Sequence, residues 1–165
     1  MKHTLSVLLL NKPGVLSRVT GLFSGRGFNI ESLCVAETLD PKVSCLTVIT
    51  KGNNAIIEQI TKQLHKLIDV IKVVDIDEGE FVEREMVLIR VNAEEHTRAE
   101  VLRIIDIFRG KVVDVSPRSY AIEVTGSSSK IEAIIDILRP IGIQEIVRTG
   151  KIAIARGRAS KKGVA

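Results

Sequence analysis

The side chains that most often catalyse reactions or bind metals form no recognisable pattern in this sequence. The three histidines, His3, His65 and His96, have no Cys, Asp or Glu neighbour at a metal-ligand spacing. The carboxylates are dispersed, so no pair can be assigned to general acid–base catalysis. Neither a G-x-S-x-G nucleophile motif nor an H-E-x-x-H zinc motif occurs. We therefore predict no catalytic residue, no metal site and no enzymatic activity of the chain by itself.

Residues 11–33, which read NKPGVLSRVTGLFSGRGFNIESL, suggest a different chemistry, the binding of a ligand through exposed backbone. A helix that starts near Pro13 would present unpaired N–H groups and a partial positive charge, which attract a carboxylate. Pro13 suits the first helical position. Gly14 has no Cβ, so a ligand or a second chain can come close to the backbone there.

The side chains around this helix start match the remaining parts of an amino acid. Asn11 and Asn29 offer amide donors and acceptors at a strand end and a strand start, and these positions can face each other across a symmetric dimer. Val15, Leu16 and Ile30 supply aliphatic surface. A branched-chain amino acid would find partners for its carboxylate, ammonium and side chain. Asn, Pro and Gly are also common turn residues at strand–helix junctions, so the residues alone leave both interpretations open.

Missing motif residues argue against a nucleotide-binding site and against an RNA-recognition domain. The sequence Gly25-Arg26-Gly27 lacks the third glycine of a dinucleotide fingerprint and follows a predicted helix, and no P-loop occurs. The predicted third strand, at 43–50, has neither the aromatic nor the basic residues of an RNA-recognition domain. Residues 11–14 do not match the glycine-rich, arginine-containing loop of acylphosphatases. We interpret the basic run at 156–162 as a solvated tail rather than a nucleic-acid contact.

The hydrophobic periodicity predicts the order β-α-β-β-α-β twice along the chain. Capping boxes at Thr97–Glu100 and Ser129–Glu132 predict the starts of both helices in the second copy. The predicted strands are 4–10, 29–39, 43–50 and 70–76 in the first copy, and 86–91, 112–115, 120–124 and 143–149 in the second, with a further short strand at 152–155.

This order predicts an α+β fold made of two ferredoxin-like βαββαβ units, each an antiparallel sheet with two helices on one face. We expect an N-terminal domain over 1–77, a linker over 78–84, a C-terminal domain over 85–157 and a basic flexible tail over 158–165. The open sheet faces and edge strands need partners, which favours a homodimer or docking to another subunit.

The composition is typical of a soluble protein with an aliphatic core. Hydrophobic residues make up 45% of the 165 residues while aromatic residues make up only 3%, and the net charge is +4. The apolar runs are far shorter than a membrane span, so we predict no membrane association. Cys34 and Cys45 lie in predicted strands and suit a reducing cytoplasm, where we expect the protein to be.

The segment LSVLLLNKPGVLSRVTGLFSGRGFNIESL (5–33) closely resembles the start of the small, regulatory subunit of acetolactate synthase, also called acetohydroxyacid synthase. The similarity continues through EQITKQLHKLIDVIKV (58–73), FVEREMVLIRV (81–91) and IFRGKVVDVSP (107–117), and it covers nearly the whole chain before the tail. The pattern N-x-P-G-V-L followed by R-G-F/Y-N-I-E-S-L is specific, whereas ACT domains in general share only a looser pattern of turn glycines.

The resemblance implies a regulatory subunit in the biosynthesis of valine, leucine and isoleucine. The reaction, which condenses two pyruvates or pyruvate with 2-oxobutanoate, then belongs to a large catalytic subunit that uses thiamine diphosphate, Mg²⁺ and FAD. No cofactor is expected in the small subunit, which raises the activity of its partner and confers feedback inhibition by valine. A free-standing ACT-domain amino-acid sensor or transcription regulator is the alternative, although no DNA-reading element is evident.

The resemblance also implies which residues bind the effector. The N-terminal unit is expected to be an ACT domain that dimerises through its sheet and holds valine at the dimer interface, and the C-terminal unit a second, ACT-like regulatory domain. Pro13 and Lys12 vary in the family and are assigned no contact. The matching valine-binding positions are Asn11, Gly14, Val15 and Leu16 on one chain, with Asn29 and Ile30 on the other.

Overall fold

The computed structural model describes residues 1–157, so the predicted basic tail at 158–165 lies outside the described residues. The chain divides into two compact units, Met1–Val82 with the described residues from Ala153 onward, and Glu83–Ile152. Each unit has its own hydrophobic core. Both sheets are antiparallel, and the predicted α+β class with two ferredoxin-like units is confirmed. None of the helices within residues 1–157 is long and apolar enough to span a membrane.

The first unit has the predicted order β-α-β-β-α-β. The elements are β1 (Lys2–Leu10), α1 (Val15–Gly25), β2 (Ile30–Glu37), β3 (Val43–Lys51), α2 (Asn54–His65) and β4 (Val70–Asp75). A short 3₁₀ helix, Ile76–Glu78, follows the last strand. The strand order across the sheet is β2-β3-β1-β4, which makes β2 and β4 the edge strands.

The core of the first unit lies between the sheet and its two helices. Successive strand residues point to opposite faces, so every second residue of β1 faces the helices. The buried residues of α1 and α2 recur at spacings of three and four, which places them on one face of each helix. Burying one such side chain contributes roughly 1.5–3 kcal/mol. The core residues are Leu5, Val7, Leu9, Val15, Val19, Phe23, Leu46, Val48, Ile57, Ile60 and Leu64.

The second unit repeats this arrangement. Its elements are β5 (Phe81–Asn92), α3 (Arg98–Ile107), β6 (Lys111–Val115), β7 (Ser119–Gly126), α4 (Ser128–Leu138) and β8 (Ile143–Arg148). The strand order is β6-β7-β5-β8, and a short strand, β9 (Ile152–Ala155), also pairs with β5. The core is aliphatic apart from Tyr120, with Val87, Ile89 and Val91 of β5 facing the helices.

The predicted start of α3 after Thr97 is confirmed, but neither predicted capping box forms. Thr97 precedes α3, but its side chain does not cap the helix and instead donates to the carbonyl of Glu94 at 3.3 Å. Ser127 caps α4 by accepting from the N–H of Lys130 at 3.5 Å, so the helix begins before Ser129. Ser127, Ser128 and Ser129 are all acceptable N-cap residues, and the local turn selects which of them becomes the cap.

The segment predicted as a linker is more ordered than its composition suggested. Strand β5 begins at Phe81, so residues 81–84 of the predicted linker belong to a strand rather than to a loop. The carboxylate of Glu83 binds both Lys151 Nζ, at 2.5 Å, and the N–H of Ser128, at 3.1 Å. Burial opposes ionisation of Glu83, but the hydrogen bonds from Lys151 and Ser128 outweigh it and hold its pKa below the usual range.

Candidate functional site

The junction between β1 and α1 is fixed by hydrogen bonds to the turn between β2 and β3. Asn11 donates from its backbone to the carbonyl of Lys42 at 2.8 Å and from its side-chain Nδ2 to the carbonyl of Pro41 at 2.9 Å. The residue is otherwise exposed. Its amide oxygen therefore remains a possible acceptor for an ammonium group, while its nitrogen holds the loop in place.

Gly14, rather than Asn11 or Lys12, stands at the N-cap of α1. Its φ is 84°, a left-handed conformation, and no side chain caps the helix. The prediction that Pro13 takes the first helical position is wrong, because the chain turns through Gly14 and the helix begins at Val15. A side chain other than glycine is strained at this φ, so the turn itself requires Gly14.

The open cap leaves backbone donors at the start of α1. The N–H of Val15 makes a long hydrogen bond to the carbonyl of Lys12, at 3.3 Å, and the N–H of Arg18 binds the carbonyl of Gly14. Between them, the N–H groups of Leu16 and Ser17 have no acceptor within residues 1–157. A Cβ built on Gly14 would meet no atom within 4 Å. This end of the helix is therefore accessible to an anion.

Val15 and Leu16 differ in what they can offer a ligand. The side chain of Val15 packs in the core of the first unit and is only 3% exposed. Only its backbone is available at the predicted site, which corrects the expectation of aliphatic contact from its side chain. Leu16 is half-buried at the edge of the core and retains accessible apolar surface.

Asn29 and Ile30 lie at the far end of the same sheet. The carbonyl of Asn29 accepts from Thr50 Oγ1 at 2.7 Å, and Ile30 pairs with Thr50, which in turn pairs with His3. Asn11 instead follows the opposite end of β1. Leu10 lies seven residues after His3, a distance of about 23 Å at the usual rise of a strand. One chain therefore does not bring the two halves of the predicted site together.

The start of β2, beside Asn29, is held by an exposed ionic cluster. Glu31 binds Lys51 Nζ at 2.5 Å and Lys2 Nζ at 2.9 Å. The hydrogen bond from Lys51, followed by that from Lys2, holds the pKa of Glu31 below its usual range. Glu31 therefore stays ionised at neutral pH, with its charge offset by the two lysines.

One group of potential metal ligands is not recognisable in the sequence, because His3 lies more than 70 residues from the two aspartates. His3, Asp75 and Asp77 each place a ligand atom within 4.8 Å of the others. Their contacts already have a structural role: His3 Nδ1 lies 3.3 Å from Asp75, Asp75 accepts from the N–H of Asp77, and Asp77 accepts from the N–H of Thr4. The network joins the end of β4 to β1.

Comparison with known proteins agrees with the fold and covers both units. Residues 5–72 match the family described as AHAS small subunit-like ACT domain, and residues 84–157 match the family described as Small subunit of acetolactate synthase. The chain is 52% identical over 157 residues to a probable acetolactate synthase small subunit of Archaeoglobus fulgidus, covering 95% of this chain and 98% of that one.

Two further proteins, one of them with a crystal structure, are similar to this chain over nearly its whole length. The chain is 52% identical to the acetolactate synthase small subunit of Haemophilus influenzae, with 95% of this chain and 97% of that one covered. The crystal structure of the small subunit from Thermotoga maritima superposes with a TM-score of 0.87 at 45% identity, covering 95% of this chain and 98% of that chain. The chain therefore belongs to the acetolactate synthase small-subunit family: it is a regulatory, non-catalytic subunit with an ACT domain, and the family implies a catalytic large subunit as its partner.

Proposed function

We propose that this subunit activates a thiamine-diphosphate-dependent catalytic subunit and makes it sensitive to feedback inhibition by valine. The observation that carries the valine assignment is the open start of α1, where the left-handed Gly14 leaves the N–H groups of Leu16 and Ser17 without acceptors. A free carboxylate suits these donors, because the partial positive charge of the helix end adds to the hydrogen bonds.

The other half of the valine site comes, in this proposal, from a second copy of the chain. The effector's carboxylate binds at the start of α1, and the amide oxygens of Asn11 and of the partner's Asn29 accept from its ammonium group. Its branched side chain packs on Leu16 and on the partner's Ile30. The separation of Asn11 from Asn29 within one chain supports a homodimeric site, since one protomer offers only half of the contacts.

Catalysis is assigned to the large subunit. Thiamine diphosphate, Mg²⁺ and FAD are expected there, and this chain is expected to bind none of them. Our proposal places the assembly in the cytoplasm, where the end product of the pathway is available to the regulatory subunit as a signal. This chain then couples the binding of valine energetically to the binding of the catalytic subunit.

This coupling works in both directions. Valine shifts the dimer only as far as its affinities for two conformations differ. By linkage, the catalytic subunit must change the affinity for valine by the same factor that valine changes the affinity for the catalytic subunit. The regulation therefore requires that the dimer exists in two states and that both ligands distinguish them.

Calorimetry on the purified full-length chain tests the valine assignment. We expect saturable binding of valine to two equivalent sites per homodimer, because each site combines one half from either chain. We also expect an increase in Tm when valine is present. The absence of both heat and thermal shift at millimolar valine would refute it. Titration of the subunit into the catalytic subunit tests activation separately, because a rise in acetolactate formation does not depend on valine.

A further inference from the structure

A groove on the first unit, away from the proposed valine site, lies between α1 and the end of α2. Its volume is about 580 Å³. The half-buried side chains of Leu22 and Leu67 contribute its apolar surface, and Arg18, Arg26 and Lys66 contribute positive charge. None of the side chains that line the groove is acidic. The groove therefore combines a small apolar surface with an excess of positive charge.

The three cations that line the groove differ in whether an acidic side chain neutralises their charge. Arg18 forms an ion pair with Asp69, which lies outside the groove lining. Arg26 donates from Nη2 to the neutral Oε1 of Gln63 at 2.8 Å, so it is oriented but keeps its full charge. Lys66 is exposed, and its ammonium group takes part in none of the ion pairs found within residues 1–157. The unmatched charge is thus concentrated on Arg26 and Lys66.

Two glycines leave part of the groove surface without side chains. Gly21 and Gly25 are four residues apart on α1, so they lie on the same face of the helix and both line the groove. A Cβ on either residue would meet no atom within 4 Å, so packing inside the chain does not require a glycine. Glycine inside a helix costs about 1 kcal/mol relative to alanine. What the glycines permit is a close approach to the backbone from outside.

The length of the groove favours an extended partner over one small anion. Its lining runs along α1 from Arg18 to Arg26, eight residues or about 12 Å along the helix axis. Arg18 is already paired with Asp69, so the charge that a partner can neutralise is that of Arg26 and Lys66. Carboxylates of an extended partner can pair with these two cations, and a helix can lie across the two glycines.

We propose that the groove between α1 and α2 docks an acidic α-helical segment of the catalytic large subunit. The inference rests on the proposed function, because it assigns a surface for the partner that a regulatory subunit must bind. Carboxylates of the segment pair with Arg26 and Lys66 while small apolar residues pack over Gly21 and Gly25. Charge complementarity of this kind accelerates association and selects the partner.

The test compares two charge-reversed full-length variants in binding to the purified catalytic subunit. The groove variant carries Arg26→Glu and Lys66→Glu, and the control carries Arg103→Glu and Lys111→Glu, which changes the same number of exposed cations in the second unit. We expect the groove variant to raise the Kd of the complex tenfold or more, a loss of about 1.4 kcal/mol. The control should stay within about threefold, and the wild-type Kd should rise more steeply with salt than that of the groove variant.

A second pair of variants tests whether the partner packs against Gly21, without changing the charge of the groove. A Cβ at position 21 meets no atom within 4 Å, and both Gly21→Ala and Gly21→Leu replace glycine by a residue of higher helix propensity. We expect Gly21→Leu to weaken the complex about tenfold or more because its side chain fills the groove, with Gly21→Ala weakening it less. Circular dichroism and Tm confirm that each variant is folded before binding is measured.

Four results would overturn the proposal. The first is a groove variant that binds the catalytic subunit with the wild-type Kd, and the second is a control that loses as much affinity as the groove variant. The third is a groove variant whose self-association changes while its binding to the catalytic subunit does not. This result would make the groove an interface between copies of this chain. The fourth is binding of inorganic phosphate that the groove variant loses while the Kd of the complex is unchanged. A wild-type chain that does not bind the catalytic subunit would refute the proposed function as well.

Discussion

Asn11 and Asn29, the two amides of the proposed valine site, lie at opposite ends of one sheet. Asn11 follows the last residue of β1 and is bonded to the β2–β3 turn, whereas Asn29 is bonded to Thr50 beside the start of β1. Because about 23 Å of strand separates the two ends, a compact ligand cannot contact both residues in the same protomer. Two copies of the chain are needed for the site as proposed.

Mixing two defective variants tests this arrangement. Asn11→Ala and Asn29→Ala should each weaken valine inhibition, because every site in either homodimer lacks one amide. In mixed dimers, one site carries both substitutions and the other carries neither. We therefore expect refolded mixtures to regain part of the wild-type inhibition by valine, measured on acetolactate formation.

The complementation experiment also has an outcome that rejects the two-chain site. If both amides acted within one chain, or if they bound no ligand, mixing would give only the average of the two variants. Because Asn11 also holds the β2–β3 turn through Pro41, the Tm of Asn11→Ala is needed to separate a loss of binding from a loss of folding.

Gly14→Asp should weaken valine inhibition strongly while leaving activation of the catalytic subunit largely intact. It places a negative charge where the effector's carboxylate is proposed to bind, at a position with free space around it. The matched control is Gly14→Asn, which has nearly the same shape, tolerates a left-handed φ and carries no charge. Valine titrations should show a larger loss for Asp than for Asn. Equal losses would indicate that backbone strain or bulk, rather than charge, is responsible.

Val15→Ala should reduce stability rather than affinity for valine. The side chain is 3% exposed and belongs to the core of the first unit, so truncation should cost roughly 1–3 kcal/mol. Urea denaturation would show this as a lower midpoint with an unchanged slope. The Kd for valine should remain within about threefold of wild type, since only the backbone of Val15 lies at the proposed site. A large change in Kd with unchanged stability would instead indicate that the side chain of Val15 contacts the ligand.

The pair of Glu83 and Lys151 should make the second unit sensitive to acid. The pKa of Glu83 is lower in the folded state than in the unfolded state, because its bonds to Lys151 and Ser128 outweigh the effect of burial. The resulting stability is present above the unfolded pKa of about 4.3, and it is lost as the pH falls through the lower folded value. Glu83→Gln should therefore cost about 1 kcal/mol at pH 7.

The difference between wild type and Glu83→Gln should shrink as the pH is lowered from about 5. Denaturation midpoints measured at intervals between pH 7 and pH 3 would show the convergence. A constant difference at every pH would mean that the substitution acts through shape or packing instead of charge. Lys111→Gln, at an exposed position on β6 of the same unit, is a suitable control, since it should leave the pH profile unchanged.

The local sequence determined the architecture of this protein. Alternation in β1 and β5 and the three- and four-residue spacing in the helices each specify one buried face. Because these patterns depend on local geometry, they predicted both βαββαβ units and their aliphatic cores. Helix ends were less predictable: both Ser127 and Ser129 are acceptable caps by composition, and the path of the preceding turn selected Ser127.

The tertiary structure decided which residues meet. Gly14, Leu16 and the free helix end lie together because they are sequence neighbours, so the sequence was sufficient to place that half of the proposed site. Packing removed the side chain of Val15 from it, and the strand register placed Asn29 at the other end of the sheet. The groove lined by Arg26 and Lys66 could not be found from sequence, because it forms only where α1 and α2 pack against the same sheet.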